Sequence, residues 1–236
     1  MAKLVFDMET IGEDFDSLDE TTQKVLTRWL KKESSSEEEY KVELDELKEG
    51  MGFSPFTGSV VAIGVMDVEK NAGCVYYQDG SGKLKETEEE GIKFKPMSEK
   101  EMLQKFWEGA QKYSQFITFN GRGFDVPFLM VRSAINGVRP TKNLMSNRYL
   151  TSQKFESKHV DLLDQLSFYG AMRRRGNLHL WCRAFGIKSP KEDGVTGDDV
   201  GALFKEKKFL DIATYNVGDI KATRELYRYW RDYLRF

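Results

Sequence analysis

The run KLVFDMET at 3–10 has the apolar pattern of a short buried strand, with acidic residues at alternate positions near its end. Residues 13–50 change character. They are densely charged, yet Leu18, Val25, Leu26, Trp29 and Leu30 recur at helical intervals, and Ser34–Ser36 interrupt two helices. Strand pattern resumes at SVVAIGVMDV (59–68) and GCVYYQD (73–79), joined by a hairpin-sized connection, so 13–50 is expected to be a helical insertion after the first strand. Residues 80–96 are rich in Gly and Glu without an apolar period, which predicts a solvated loop. Ser98, with Glu101 three residues on, predicts the cap of the next helix. QFITFN (115–120) reads as a buried strand, and GRGFDVPFLMVRSAI as a turn opening a helix. KHVDLLDQL (158–166) reads as a short strand running into a helix, and GNLHLWCRAFGI as a helix closed by Gly186. DDVGALFKEK and DIATYNVGDIKATRELYRYWRDYL finish the chain with helices, and no internal repeat is seen.

The hairpin makes the sheet mixed, and the later strand–helix alternation makes part of it parallel. An α/β chain of 236 residues falls within the size of one large domain, and 40% hydrophobic residues exclude a disordered chain. No run approaches eighteen apolar residues, so no membrane span is expected, and the strand at the start leaves no room for a signal peptide. Cys74 and Cys182 lack metal-site spacing and read as free thiols of a cytoplasmic protein. The net charge of −2 weighs against a protein that coats DNA. It weighs little against a protein that binds metal ions, because metal-binding carboxylates add negative charge that bound cations later neutralise.

Three acidic segments carry the candidate chemistry. Asp7 and Glu9 lie two apart on a strand, so both project from the same face, where their repulsion calls for a cation. Either acid facing solvent at a strand end is the structural alternative. In NGRGFDVPFL (120–129), a hydrophobic strand ends at Asn120, two glycines allow a tight turn, and Asp125 falls where the next helix starts. Pro127 fits the first turn of that helix, and a helix cap is the plain alternative for Asp125. In YNVGD, Tyr215 and Asp219 are four apart and share a helical face. Ala222, Leu226, Trp230 and Tyr233 roughly continue that face, which therefore turns inward, and a buried acid there needs a partner. A purely structural Tyr–Asp pair stays open.

FDMET, NGRGFDVPFL and YNVGD, in that order and separation, resemble the three exonuclease motifs of the four-acid (DEDD) 3′→5′ exonuclease superfamily, tyrosine variant. HVDLLDQL and DGVTGDDVGALF look like the stand-alone predicted 3′→5′ exonucleases related to the exonuclease domain of family B DNA polymerases. The histidine variant places His five residues before the last acid, where this chain has Thr214. The resemblance implies a ribonuclease H-like mixed sheet flanked by helices. It also implies that Asp7, Glu9, Asp125 and Asp219 hold two divalent cations, Mg²⁺ or Mn²⁺, with Tyr215 orienting the attacking water. Asp7 would bridge the ions, Glu9 and Asp219 would complete one site, and Asp125 would hold the second. By the same likeness, the backbone around Met8, with Thr10, Asn120 and Phe124, would line the pocket of the terminal nucleotide. The implied partner is the 3′ end of a nucleic acid, single-stranded DNA before RNA. An inactive nucleic-acid-binding module would lack an acid or the tyrosine, and none is missing.

The remaining features have bland readings. Arg173–Arg175, with Arg183 and Lys188 beyond, can contact phosphates or form a solvated loop. Arg224, Arg228, Arg231 and Arg235 read as a solvent-facing stripe. Asp161 reads as a helix cap and His159 as structural. Trp29, Trp107, Trp181 and Trp230 all lie in helical patterns where core packing is the default.

Overall fold

The computed structural model describes residues 2–80, 82–190 and 197–235. Its seven strands are β1 (Lys3–Gly12), β2 (Gly58–Asp67), β3 (Ala72–Tyr77), β4 (Thr87–Glu89), β5 (Ile92–Pro96), β6 (Gln115–Thr118) and β7 (Lys158–Asp161). They form one sheet in the order β4-β5-β3-β2-β1-β6-β7. β1–β2 and β2–β3 are antiparallel, as the expected hairpin requires, whereas β6 and β7 run parallel to β1. The helices are α1 (Glu20–Thr27), α2 (Leu30–Glu33), α3 (Glu37–Gly50), α4 (Glu99–Ala110), α5 (Asp125–Ile135), α6 (Leu162–Leu166), α7 (Leu178–Phe185), α8 (Val200–Lys205) and α9 (Phe209–Tyr229). None of the described helices is long and apolar enough to cross a membrane.

Period-two alternation sends the side chains of β1 into two cores. Leu4, Phe6 and Met8 pack with Met102, Leu103, Phe106 and Trp107 of α4 and Val126, Phe128 and Leu129 of α5. Val5 faces the other way, toward Ile212, Ala213, Val217 and Ile220 of α9. The three-layer order of helix, sheet and helix follows, with β1 buried at its centre. Ser98 and Glu101 form the expected capping box of α4, and Gly186 closes α7 at φ +67°.

The insertion is helical as expected: α1 to α3 fall within it, and Ser36 caps α3 after the serine break. Three other expectations need correction. The segment 80–96 is not a plain loop, because β4 and β5 extend the sheet there. Ile92 and Phe94 are buried while Lys93 between them is exposed, and β4 is exposed throughout, so this is a charged sheet edge. Trp29 is not a core residue; about half of its surface (48%) meets solvent, since the insertion is too thin to bury both sides of its helices. Arg224 leaves the solvent-facing stripe: it is buried, with its guanidinium 2.7 Å from Glu225. In DGVTGDDVGALF, residues 193–196 lie outside the described residues.

Candidate metal centre

The end of β1 is the point where three distant segments meet. The β1–β6 pairing stops at Val5–Ile117, so among the described residues the β6-facing edge of β1 has no strand partner beyond it. There the Met8 N–H donates to Asp125 Oδ1 at 3.2 Å. Asp125 is thus committed to β1 and is not the cap of α5, whose cap position is Phe124 without a side-chain hydrogen bond. The turn before it is fixed by Asp161. That carboxylate caps α6 through the N–H groups of Leu163 (2.9 Å) and Asp164, and also accepts from the N–H groups of Asn120 (3.0 Å) and Arg122 (2.8 Å). Asn120 adopts φ +62°, which Asn tolerates better than most residues.

From the other side, α9 brings Asp219 to β1. One carboxylate oxygen from each of Asp7, Glu9 and Asp219 lies within 4.8 Å of the other two. Glu9, Asp125 and Asp219 are buried and Asp7 is partly open. Burial and, after it, the charges of Asp125, Asp219 and Glu9 push the Asp7 carboxyl well above its ordinary range. Glu9 is raised in the same way, first by burial and then by Asp219. Burial lifts Asp125 to about 7, with Asp161 and Asp219 adding to it. Half-buried Tyr215, bonded to Asp219, is also raised, chiefly by burial and then by the Asp219 charge.

Asn216 is the residue that sequence reasoning missed. Its Nδ2 donates to Asp7 Oδ2 at 2.9 Å and to Glu9 Oε1 at 3.2 Å, placing an amide between two like charges. Its Oδ1 lies buried without a hydrogen-bond partner among the described residues, over Gly64, where an added Cβ would stand 2.1 Å away. Gly64 pairs directly with Asp7 across β1–β2, so a missing side chain is what lets α9 settle on the acids. A glycine inside an otherwise apolar strand is a signal for such close approach. Gly218 has a similar reason, since a Cβ there would sit 3.0 Å from Pro190.

The other expected pocket residues flank the acids. The Met8 side chain is buried in the core, so its backbone is what faces the site. Thr10 Oγ1 donates to the Gly52 carbonyl at 2.8 Å, Asn120 is exposed, and the Phe124 ring lies against those of Phe53 and Phe128. Arg173–Arg175 are exposed. His159 is buried, bonded to Thr118, and lowered to about 3 by burial, consistent with a neutral structural role.

Hard oxygen donors of Asp7, Glu9 and Asp219, converging from β1 and α9 and too close to ionise together, with Asp125 held against β1, fit a site for divalent cations. The mixed seven-stranded sheet flanked by helices is a ribonuclease H-like fold. Similarity agrees: the chain aligns with the family B DNA polymerase from the hyperthermophilic archaeon Pyrobaculum calidifontis at a TM-score of 0.57 and 15% identity, over 98% of this chain. The chain spans about a quarter (24%) of that polymerase's length. No curated protein matches it. Residues 59–233 match the family described as "Predicted 3'-5' exonuclease related to the exonuclease domain of PolB", and the chain belongs to that family. The match contains Asp125, Tyr215 and Asp219, whereas Asp7 and Glu9 precede it and are joined to them by the fold.

Proposed function

We propose that this exonuclease removes nucleotides from the 3′ end of single-stranded DNA, using two divalent cations, Mg²⁺ or Mn²⁺. Asp7, Glu9, Asp125 and Asp219 would hold them. The observation that carries this reading is the approach of the Asp7, Glu9 and Asp219 oxygens to within 4.8 Å of one another. Such an arrangement is costly without a counter-charge. When bound, the cations acidify water and offset the charge that develops on the scissile phosphate and the departing 3′ oxygen.

The protein's own residues do the positioning. Tyr215 keeps its proton at neutral pH because burial and the neighbouring acids raise it, so it orients the attacking water rather than deprotonating it. Asn216 and the Met8 N–H fix the directions of Asp7, Glu9 and Asp125, as outer partners of metal ligands do. The Met8 backbone, Thr10, Asn120 and Phe124 receive the terminal nucleotide. Single-stranded DNA is favoured over RNA because the family is related to a DNA polymerase domain.

The test is degradation of 5′-labelled single- and double-stranded DNA and RNA with Mg²⁺, Mn²⁺ or chelator. A ladder shortening from the 3′ end, abolished in Asp7→Ala, supports the proposal. Internal cuts, or cleavage that persists in chelator, overturn it. A ladder on RNA alone moves the substrate to RNA.

A further inference from the structure

Beside the acid cluster, two phenyl rings are held out in water by a braced loop. Phe53 and Phe56 keep 68% and 78% of their surface exposed. They lie on the segment that joins the helical insertion to β2 and begins with the 3₁₀ turn Met51–Phe53. A loose loop can turn such rings inward, but this one is tied on several sides. Thr10 Oγ1 donates to the Gly52 carbonyl, Thr57 Oγ1 to the Met51 carbonyl (both 2.8 Å), and Arg132 to the Pro55 carbonyl (3.3 Å). The Glu13 N–H donates to the Thr57 carbonyl at 2.7 Å. Backbone packing is as close: a Cβ on Gly52 would stand 3.0 Å from the Gly12 nitrogen. The turn therefore lies directly on β1, just past Glu9. Its consequence is an edge-on pair of rings, Phe53 and Phe124, with centroids 6.2 Å apart. Phe124 immediately precedes Asp125, so this aromatic wall adjoins the acids.

We infer that Phe53 and Phe124 form a base-stacking wall, occupied by an unpaired base among the last two nucleotides of the 3′ end. The inference rests on the proposed exonuclease reading and names a source of its preference for single strands. Two features favour this occupant. Phe124 directly precedes Asp125, and the Phe53 turn is bonded to Thr10, the residue after Glu9, so both rings are tied to acid-bearing segments. The chain is also net negative, −2, so backbone electrostatics supplies little overall attraction and stacking has more of the affinity to supply. Stacking is also indifferent to base identity, as an enzyme that processes any sequence requires. Besides facing the nucleotide pocket, Thr10 sets where Phe53 stands through its bond to the Gly52 carbonyl.

The experiment measures binding of a fluorescent single-stranded oligonucleotide with a cleavage-resistant phosphorothioate 3′ end in Mn²⁺, alongside kcat and KM on the ordinary strand. Phe53→Ala is expected to weaken binding roughly tenfold and raise KM with little change in kcat, while Phe53→Trp keeps wild-type behaviour. On a strand made abasic at the contacted position, wild type and Phe53→Ala should bind alike. Mn²⁺ affinity should be the same in all three proteins. Equal binding of the intact strand by wild type and Phe53→Ala overturns the inference. So does a loss that persists on strands abasic at either of the last two positions, which would mark a structural role. A wild type that binds the strand but never shortens the ordinary one overturns the exonuclease reading instead, and the Phe53 comparison still decides the wall.

Discussion

Raising the pH of the metal-free protein should weaken it, and a divalent cation should reverse the loss. Asp125 is lifted from an ordinary 3.8 to about 7 by burial and by its acidic neighbours. Between those values the folded chain holds a proton that the unfolded chain has released. Proton binding is then greater in the native state, so stability falls as pH rises through that window. At 1.36 kcal/mol for each pH unit, Asp125 alone accounts for about 4 kcal/mol between pH 4 and pH 7. Asp7 and Glu9 are raised by the same burial and act in the same direction. A loss of that size is a large share of a typical folding free energy and corresponds to a Tm drop on the order of 10 °C. Cation binding must displace these protons. At pH 6 Asp125 should release most of a proton, seen as a heat that depends on buffer ionisation enthalpy in Mn²⁺ titrations. Denaturation in chelator across pH 4.5 to 7.5, repeated with Mn²⁺, measures both effects. Stability that stays flat or rises with pH in chelator would refute the argument that the acids are crowded and buried together.

Much of the centre was legible because its residues obey local rules. Asp7 and Glu9 share a strand face, and Tyr215 and Asp219 share a helix face, so their spacing alone predicts joint presentation. What stayed hidden depends on which faces meet. Asn216 sits beside Tyr215 in sequence and reads as an ordinary polar helix residue; its role appears when α9 crosses β1 and its amide enters the gap between two carboxylates. Gly64 was a readable clue, a single interruption in SVVAIGVMDV. The strands at 87–96 were hidden for another reason. Two buried residues, Ile92 and Phe94, are too few to show a period amid lysines, and β4 is a strand by hydrogen bonding without burial. Exposed aromatics such as Phe53 and Trp29 resist sequence reading because the hydrophobic pattern assigns every large apolar residue to a core.

Two substitutions probe the geometry from opposite ends. Tyr215→Phe keeps the ring and removes the hydroxyl, so Mn²⁺ affinity should hold while turnover falls on the order of 10²-fold, the scale of a misplaced reactant; an unchanged rate removes the tyrosine from the mechanism. Gly64→Ala tests whether the close seating of α9 assembles the acids. Its Cβ would stand 2.1 Å from Asn216 Oδ1 and 3.1 Å from a methyl of Ile220, so α9 or the Asn216 side chain must move. Overpacking of this kind costs about 1–3 kcal/mol, measurable by urea denaturation. The displacement also separates Asp219 from Asp7 and Glu9, so Mn²⁺ affinity should fall together with activity. Loss of stability with undiminished Mn²⁺ affinity would show that the acids find the cations without the close contact of α9 on β2.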